Sequence, residues 1–181
     1  MTSIYELPPG LPAPADDGAC PHLEGMAAPD LELESSNGPV NLTTFGDAVV
    51  YVYPRTGKPG VEPTETWNAI PGARGCTPQS CGFRDHAEEL RDHGLKLAGL
   101  SVQPLEDQVE VSERLGLMYP VIADPELALK GALGMPTFVF EGAELYRRVT
   151  LVIRGGRIEK VFYPVFPPDK NAEEVVAWLG S

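Results

Sequence analysis

The sequence predicts an α/β fold in which helices flank a mixed central sheet, with a β-hairpin extension at the N-terminus. Two largely apolar stretches, at 48–53 and 95–102, are typical of buried central strands. A segment with apolar residues at helical spacing lies between them, and an acidic helical segment follows. The 181 residues are enough for one domain with its own hydrophobic core.

The N-terminal region divides into a tail and a hairpin. Residues 1–19 contain four prolines and few large apolar side chains, so we expect a flexible or extended tail. Residues 20–181 are then expected to form the domain. Between positions 22 and 42, apolar and polar residues alternate on both sides of Asn37–Gly38, which predicts the β-hairpin.

The first central strand is followed by a long loop. Ala48 to Tyr53 form the continuous apolar run, which Pro54 ends. Residues 55–74 are rich in glycine and proline and are interpreted as an inserted loop. Loops of this length without structure of their own are unusual and are often functional.

A helix is predicted after the loop, with Thr77 as N-cap, Pro78 at the first helical position and Gly94 at its end. The other predicted elements are a strand at 95–102, a helix at 104–115, a strand at 121–123, a helix at 126–133, strands at 148–153 and 158–162 joined by a Gly-Gly turn, and a helix at 171–179. Alternating strands and helices give a central sheet covered on both faces, and the last hairpin makes it mixed. This order is the thioredoxin-like arrangement.

Charge and cysteine content restrict the function. The net charge is −12, and no cluster of Lys and Arg interrupts the acidic background. We therefore expect neither nucleic acid nor an anionic membrane surface as a partner. No apolar run approaches the ~20 residues that cross a bilayer, and residues 1–19 lack the pattern of a secretory signal. The expected location is cytoplasmic, where three cysteines are typically reactive or buried thiols.

Cys76 is placed immediately before the predicted N-cap of the helix. Unpaired amide hydrogens and the positive end of the helix dipole lie there, and both stabilise a thiolate. A thiolate can attack an O–O bond, which releases water or an alcohol and leaves a sulfenic acid. We interpret Cys76 as this nucleophile.

Cys81 follows five residues later on the same predicted helix. That spacing corresponds to about 500° of rotation and about 7.5 Å of rise, too far for a disulfide without backbone movement. Pro78 and Gly82 weaken the intervening turn. The expected cycle is therefore thiolate, sulfenic acid, local unfolding, disulfide and reduction by an external dithiol.

The segment 75–85, Gly-Cys-Thr-Pro-Gln-Ser-Cys-Gly-Phe-Arg-Asp, resembles the active-site helix of the peroxiredoxin Q branch, the bacterioferritin comigratory proteins. The resemblance covers about residues 23–179. Further stretches match the family in the right order, at 28–33, 40–45, 50–54, 99–102, 120–124 and 148–153.

The resemblance implies a peroxidatic role for Cys76 and a resolving role for Cys81. It also implies that Arg148 stabilises the thiolate and orients peroxide through charge-assisted hydrogen bonds, with Arg147 as the rival. The expected substrates are hydrogen peroxide and organic hydroperoxides, and the expected reductant is thioredoxin or a similar dithiol. We expect no cofactor or metal, and a monomer, with a dimer left open.

The chain departs from the family where peroxiredoxins carry Pro-x-x-x-Thr-x-x-Cys, because Ala69 and Ala73 occupy these positions. Pro54 lies 22 residues before Cys76, where the family has seven, so about 15 residues are extra. Our hypothesis is that Pro54 and Thr56 supply the missing proline and hydroxyl. Thr77 is the alternative source of the hydroxyl.

Two features of the chain, the insertion and Cys20, have no counterpart in the peroxiredoxin Q branch. The insertion, with Trp67, is interpreted as a lid over the pocket, a partner-binding segment or a surface elaboration. Cys20 is interpreted as an inert free thiol or as a second resolving cysteine.

Three other functions are considered. A zinc site could gather cysteines with His22 and His86, but the Cys-x-x-Cys spacing is absent. A dithiol–disulfide oxidoreductase shares the fold but needs two residues between its cysteines, whereas four separate Cys76 from Cys81. A non-catalytic binding or redox-sensor module is the third.

Overall fold

The computed structural model describes residues 5–181 as a mixed α/β structure. Its strands are β1 (Glu32–Leu33), β2 (Val40–Asn41), β3 (Ala48–Val52), β4 (Lys96–Ser101), β5 (Val121–Ala123), β6 (Thr137–Phe140), β7 (Ala143–Tyr146), β8 (Val149–Arg154) and β9 (Arg157–Phe162). Its helices are α1 (Glu65–Asn68), α2 (Cys76–Asp92), α3 (Leu105–Leu115), α4 (Ala128–Leu133) and α5 (Asn171–Leu179), with a 3-10 helix at Pro168–Lys170. No helix within 5–181 is both long enough and apolar enough to cross a membrane.

The central sheet is mixed, as the sequence predicts. Its five strands are ordered β5-β4-β3-β8-β9. β3 runs parallel to β4, and β4 parallel to β5, while β8 is antiparallel to both β3 and β9. The parallel pairs arise because helices connect them, whereas a tight turn joins the last two strands.

The two faces of β3 belong to two different cores, which explains why the whole strand is buried. Val49 and Tyr51 pack in the core beneath α2, α3 and α5. Val50 and Val52 pack on the opposite face, with α4 and the N-terminal region. The sheet is therefore covered on both sides, and α2 lies flat on one of them.

The predicted N-terminal hairpin is confirmed, with Leu33 paired to Val40 across the turn. Residues 5–19 contain no helix or strand. Pro14 lies close enough to Gly72 that a Cβ there would be 3.1 Å from its Cγ, and the Tyr163 hydroxyl donates to Asp17 at 2.7 Å. The tail thus contacts the domain at the loop before Cys76; its flexibility stays a prediction, and residues 1–4 lie outside the described residues.

The predicted start of the helix after the inserted loop is wrong by two positions. The helix begins at Cys76 itself, and its N-cap is Gly75 rather than Thr77. Gly75 has a φ of 119°, and a Cβ there would lie 2.9 Å from Leu7 and Pro168. Glycine is required on both grounds, since the left-handed conformation and the close packing exclude a side chain.

A second hairpin, β6 and β7, was not predicted. Its turn, Glu141–Gly142, has positive φ at both residues, but Glu-Gly is a weaker hairpin signal than Asn-Gly. The inserted loop is also more structured than expected, because Thr64 caps the one-turn helix α1 by accepting from the amide of Trp67. Trp67 packs with Phe140 of the second hairpin, so the two features form one small core.

Candidate active site

Cys76 is the first residue of α2 and is 4% exposed. Pro78 contributes no amide hydrogen, so the amides at the start of the helix are those of Cys76 and Thr77. Cys76 lines a cavity of about 500 Å³ together with the inserted loop. The sulfur is therefore placed at the positive end of a 17-residue helix and beside a substrate-sized space.

Arg148 lies directly against this sulfur. Its Nη2 is 3.3 Å from Cys76 Sγ, and the same nitrogen donates to the Ala73 carbonyl at 3.0 Å. The Gly72 carbonyl accepts from Nε and Nη2 at 3.3 and 3.2 Å. The guanidinium is thus fixed by backbone oxygens of the loop that precedes the helix, and Arg148 is 4% exposed.

Arg147, the alternative candidate for the arginine of the site, points away from the Cys76 sulfur. Its guanidinium lies over the ring of Phe138 at 5.5 Å, and the residue is half-buried. Successive residues of extended backbone face opposite sides, so only one of the adjacent arginines reaches the sulfur.

A buried polar chain extends from Arg148 and was missed by sequence reasoning. Arg148 Nη1 donates to Gln79 Oε1, and Gln79 Nε2 donates to Asn171 Oδ1 at 3.1 Å. The Thr150 hydroxyl donates to the same amide oxygen at 2.6 Å. Gln79 is fully buried and stands three residues after Cys76, on the same helix face. That spacing was the available indication.

Cys81 is half-buried, and neither it nor Cys76 forms a disulfide on the intact helix. Burial raises the pKa of the Cys81 thiol, Asp85 acts in the same direction, and Arg84 and Arg114 oppose the shift. Cys81 is therefore a neutral thiol in this folded state. Five helical residues separate the sulfur-bearing positions by about 7.5 Å of rise, so a disulfide requires movement of the turn between them.

Two buried tyrosines hold that turn. The Tyr119 hydroxyl donates to the Ser80 carbonyl at 3.0 Å. The Tyr51 hydroxyl is hydrogen-bonded to Ser80 Oγ at 3.0 Å and to the Tyr119 hydroxyl at 2.7 Å. Burial raises the pKa of both tyrosines, so both hydroxyls stay protonated. Ser80 lies between the two cysteines, and its contacts connect the helix start to β3.

The two predicted substitutes for the family Pro and Thr lie in different places. Thr56 lines the Cys76 cavity, and both its amide and its hydroxyl donate to Gln103 Oε1, at 2.9 and 3.2 Å. Pro54 lines a separate cavity of about 300 Å³, on the side of Arg148 and Gly72. Thr77 is buried and lines the Cys76 cavity. Across positions 5–181, the hydrogen-bond partners of the Cys76 sulfur are Arg148 and, at 3.9 Å, the Ala73 carbonyl.

Cys20 is buried in the opposite core from Cys76. Burial, with Asp17 and Asp16, raises its thiol pKa to about 12. His22 is bonded to the Leu133 carbonyl at 2.8 Å. In the described part of the chain, no three His, Cys, Asp or Glu side chains are arranged to hold a metal.

A model of the Redoxin family matches residues 23–176. This chain belongs to the Redoxin family. This redoxin is 30% identical to peroxiredoxin Bcp of Escherichia coli over 166 residues, which cover 88% of it and 96% of that relative. It is 27% identical to the chloroplastic peroxiredoxin Q of Arabidopsis thaliana over 159 residues, 86% of this chain but only about two thirds (66%) of that longer relative.

Solved structures agree with these relatives. The crystal structure of peroxidoxin BcpB from Mycobacterium tuberculosis matches with a TM-score of 0.69 and 25% identity, over 88% of this chain and 97% of that one. Peroxiredoxin Q of Xanthomonas campestris, at 23% identity and a TM-score of 0.67, supports the fold. The expected thioredoxin-like fold and the resemblance to the peroxiredoxin Q branch are confirmed. As a peroxiredoxin, the redoxin is a thiol-dependent peroxidase.

Proposed function

We propose that this redoxin reduces hydrogen peroxide and organic hydroperoxides through a sulfenic acid on Cys76, which Cys81 then converts to an intramolecular disulfide. The observation that carries the proposal is the position of Cys76 Sγ, 3.3 Å from the Arg148 guanidinium at the start of α2. A buried cation and a helix N-terminus together favour a negatively charged sulfur.

In the first step the Cys76 thiolate attacks one peroxide oxygen. A new S–O bond forms as the O–O bond breaks, and the electron pair leaves with the distal oxygen, which takes a proton as water or an alcohol. The sulfur is oxidised and the peroxide is reduced by two electrons. Arg148 donates toward the sulfur and is placed to stabilise the negative charge that moves to the leaving oxygen. Thr56 is proposed to orient the peroxide, with Thr77 as the alternative, and Pro54 to shield the Arg148 side of the site.

In the second step the Cys81 sulfur attacks the Cys76 sulfenic acid. An S–S bond forms and water leaves, which takes up the Cys81 proton. The step needs the turn containing Ser80 to unwind, because the intact helix holds the sulfurs too far apart. Unwinding also removes Cys81 from the buried environment that keeps it a neutral thiol.

An external dithiol, thioredoxin or a similar protein, supplies the two electrons and two protons that restore both thiols. Peroxiredoxins as a class use such thiol reductants, and the chain's relatives are peroxiredoxins. A cytoplasmic location and a monomeric state complete the proposal.

The test is to mix the fully reduced chain with one equivalent of hydrogen peroxide and determine the product mass. We expect a loss of two hydrogen atoms and a peptide that links Cys76 to Cys81. Cys81→Ser is expected to stop at the sulfenic acid, which a dimedone adduct on Cys76 would reveal. A reduced chain that ignores peroxide but reduces a disulfide substrate would instead identify a dithiol–disulfide oxidoreductase, and a chain inert in both assays a binding module.

A further inference from the structure

The cavity beside Cys76 is far larger than hydrogen peroxide requires. Its volume is about 500 Å³, within the range that holds a small organic ligand. More than half of the residues that line it come from the inserted loop at 55–74. Its lining includes the apolar side chains of Trp67, Val102 and Leu145, which pack in one cluster, and the more exposed Val61. The insertion therefore lines a cavity and does not only project from the surface.

Three cations also line this cavity: Arg55, Lys58 and Arg74. The chain has only 14 Lys and Arg against 26 Asp and Glu, so three cations in one cavity are a local reversal of its charge. Within residues 5–181, none of the three forms an ion pair. Two carboxylates, Glu62 and Asp107, share the lining without pairing with them.

Of these three cations, Arg74 is the one whose surroundings indicate an anion site most clearly. It is 9% exposed, and its described hydrogen bond goes to a neutral acceptor, Asn68 Oδ1, at 3.0 Å. Burial lowers its pKa, and Glu62 opposes the shift. Glu62 acts on Arg74 from beyond ion-pairing distance, and a buried guanidinium that lacks an ion-paired carboxylate is costly unless an anion completes the site.

The guanidinium of Arg55 is ordered by contacts with aromatic rings. Its guanidinium lies 4.5 Å from the ring centroid of Trp67 and 5.0 Å from that of Phe140. Stacking on aromatic rings orders the planar group and leaves its N–H edge to bind a carboxylate. The same two rings anchor the insertion to the second hairpin.

We propose that this cavity binds the anionic group of an organic hydroperoxide, so that the preferred substrates carry both a carboxylate and an apolar body. Arg74 and Arg55 bind the carboxylate, the apolar lining side chains hold the body, and the peroxide group reaches Cys76 in the same cavity. The inference rests on the proposed peroxidase function and adds its substrate class. It also assigns the insertion a role as a specificity element.

The test compares cumene hydroperoxide bearing a para-carboxylate with the methyl ester of the same compound. The second-order rate constant of each with the reduced chain is measured by stopped flow. Since the chain is acidic overall, its net charge alone would slow the reaction of the anionic peroxide relative to that of the neutral ester. We expect the carboxylate to react about tenfold faster than the ester, the effect of one charge-assisted hydrogen bond. High salt should reduce this ratio.

Arg74→Gln and Arg55→Gln should bring the ratio of the two rates close to one. The ratio is taken within each protein, so a general loss of reactivity cancels. Arg91→Gln, an exposed arginine on α2, removes the same charge outside the cavity and should keep the ratio of the unmodified chain. If Arg74→Gln does not fold, para-isopropylbenzoate is used instead. It should slow the reaction of the unmodified chain with hydrogen peroxide, and its methyl ester should not.

A carboxylate that reacts no faster than its ester would overturn the substrate inference while hydrogen peroxide still oxidises Cys76. The same holds if Arg91→Gln changes the ratio as much as the cavity variants. Failure of the peroxidase function itself is distinct, because all three peroxides would then leave Cys76 unoxidised.

Discussion

The guanidinium of Arg148 and the sulfur of Cys76 are in direct contact, with Nη2 3.3 Å from Sγ. The two residues are 72 positions apart in the chain. Their meeting depends on β8 lying beside β3 in the central sheet and on α2 packing across that sheet. The carbonyls of Gly72 and Ala73 then fix the guanidinium against the start of the helix.

Arg148→Gln should slow the reaction of the reduced chain with hydrogen peroxide by about a hundredfold or more, as expected for loss of a donor to the developing charge. The rate is measured by stopped flow, with circular dichroism as a check on folding. Arg147→Gln is the matched control and should leave the rate within about twofold, because its guanidinium stacks on Phe138. Equal effects of the two substitutions would remove the special role of Arg148.

Thr56→Val should lower the rate with hydrogen peroxide about tenfold while reducing the free energy of unfolding by only about 1 kcal/mol, the value of its hydrogen bond to Gln103. Urea unfolding and stopped flow give the two quantities. Thr77→Val makes the same isosteric change on the same cavity. A larger rate loss in Thr77→Val would assign the peroxide-orienting hydroxyl to Thr77, and no loss in either would exclude both.

Tyr119→Phe should accelerate disulfide formation after the sulfenic acid has formed. The substitution removes the hydrogen bond to the Ser80 carbonyl, and about 1 kcal/mol less resistance to unwinding corresponds to roughly a fivefold increase. Timed trapping of the sulfenic acid with dimedone measures the step.

Tyr146→Phe is the control for this experiment, because its hydroxyl bonds to Asp124 and not to α2. It should leave the resolution rate unchanged. If Tyr119→Phe resolves no faster than the unmodified chain, the tyrosine contacts do not limit unwinding.

Cys20→Ser should leave peroxide turnover unchanged, in line with an inert thiol. Its effect should appear in stability at alkaline pH. Burial keeps the thiol of Cys20 protonated in the folded state up to about pH 12, whereas in the unfolded chain it ionises near its ordinary pKa of 9.0. Below pH 9 the two states bind the same proton, and above it the unfolded chain is favoured as it releases that proton.

Denaturant unfolding from pH 8 to pH 11 measures this effect. The unmodified chain should lose stability above pH 9 more steeply than Cys20→Ser, by up to about 1.4 kcal/mol per pH unit. Identical slopes would mean that Cys20 is solvated in the folded state, and reduced turnover in Cys20→Ser would favour its role as a second resolving cysteine.

Much of the fold was predictable because its determinants are local. The run at 48–53, the Asn37–Gly38 turn and the periodicity of 171–179 each depend on neighbouring residues, and each element lies where it was expected. The start of α2 was misplaced because the N-cap role of Gly75 depends on its packing against Leu7 and Pro168. Spacing alone favoured Thr77.

For the candidate site, the sequence predicted the cysteines and the arginine, whose catalytic roles stay predictions, but not the contacts that support them. Spacing and resemblance pointed to Cys76, Cys81 and Arg148. The contact of Gln79 with Asn171 joins residues 92 positions apart, and no local pattern encodes it. The burial of Arg74 likewise depends on how the insertion folds onto the second hairpin, which was itself missed.

The most direct measurement compares the rates of two variants with hydrogen peroxide. Cys20→Ser combined with Cys81→Ser leaves only Cys76, and Cys76→Ser leaves the other two thiols. Stopped flow should show the first reacting at least about a thousandfold faster, since only Cys76 has the helix terminus and the Arg148 guanidinium beside it. Comparable rates for the two variants would contradict the assignment of Cys76 as the peroxide-reactive thiol.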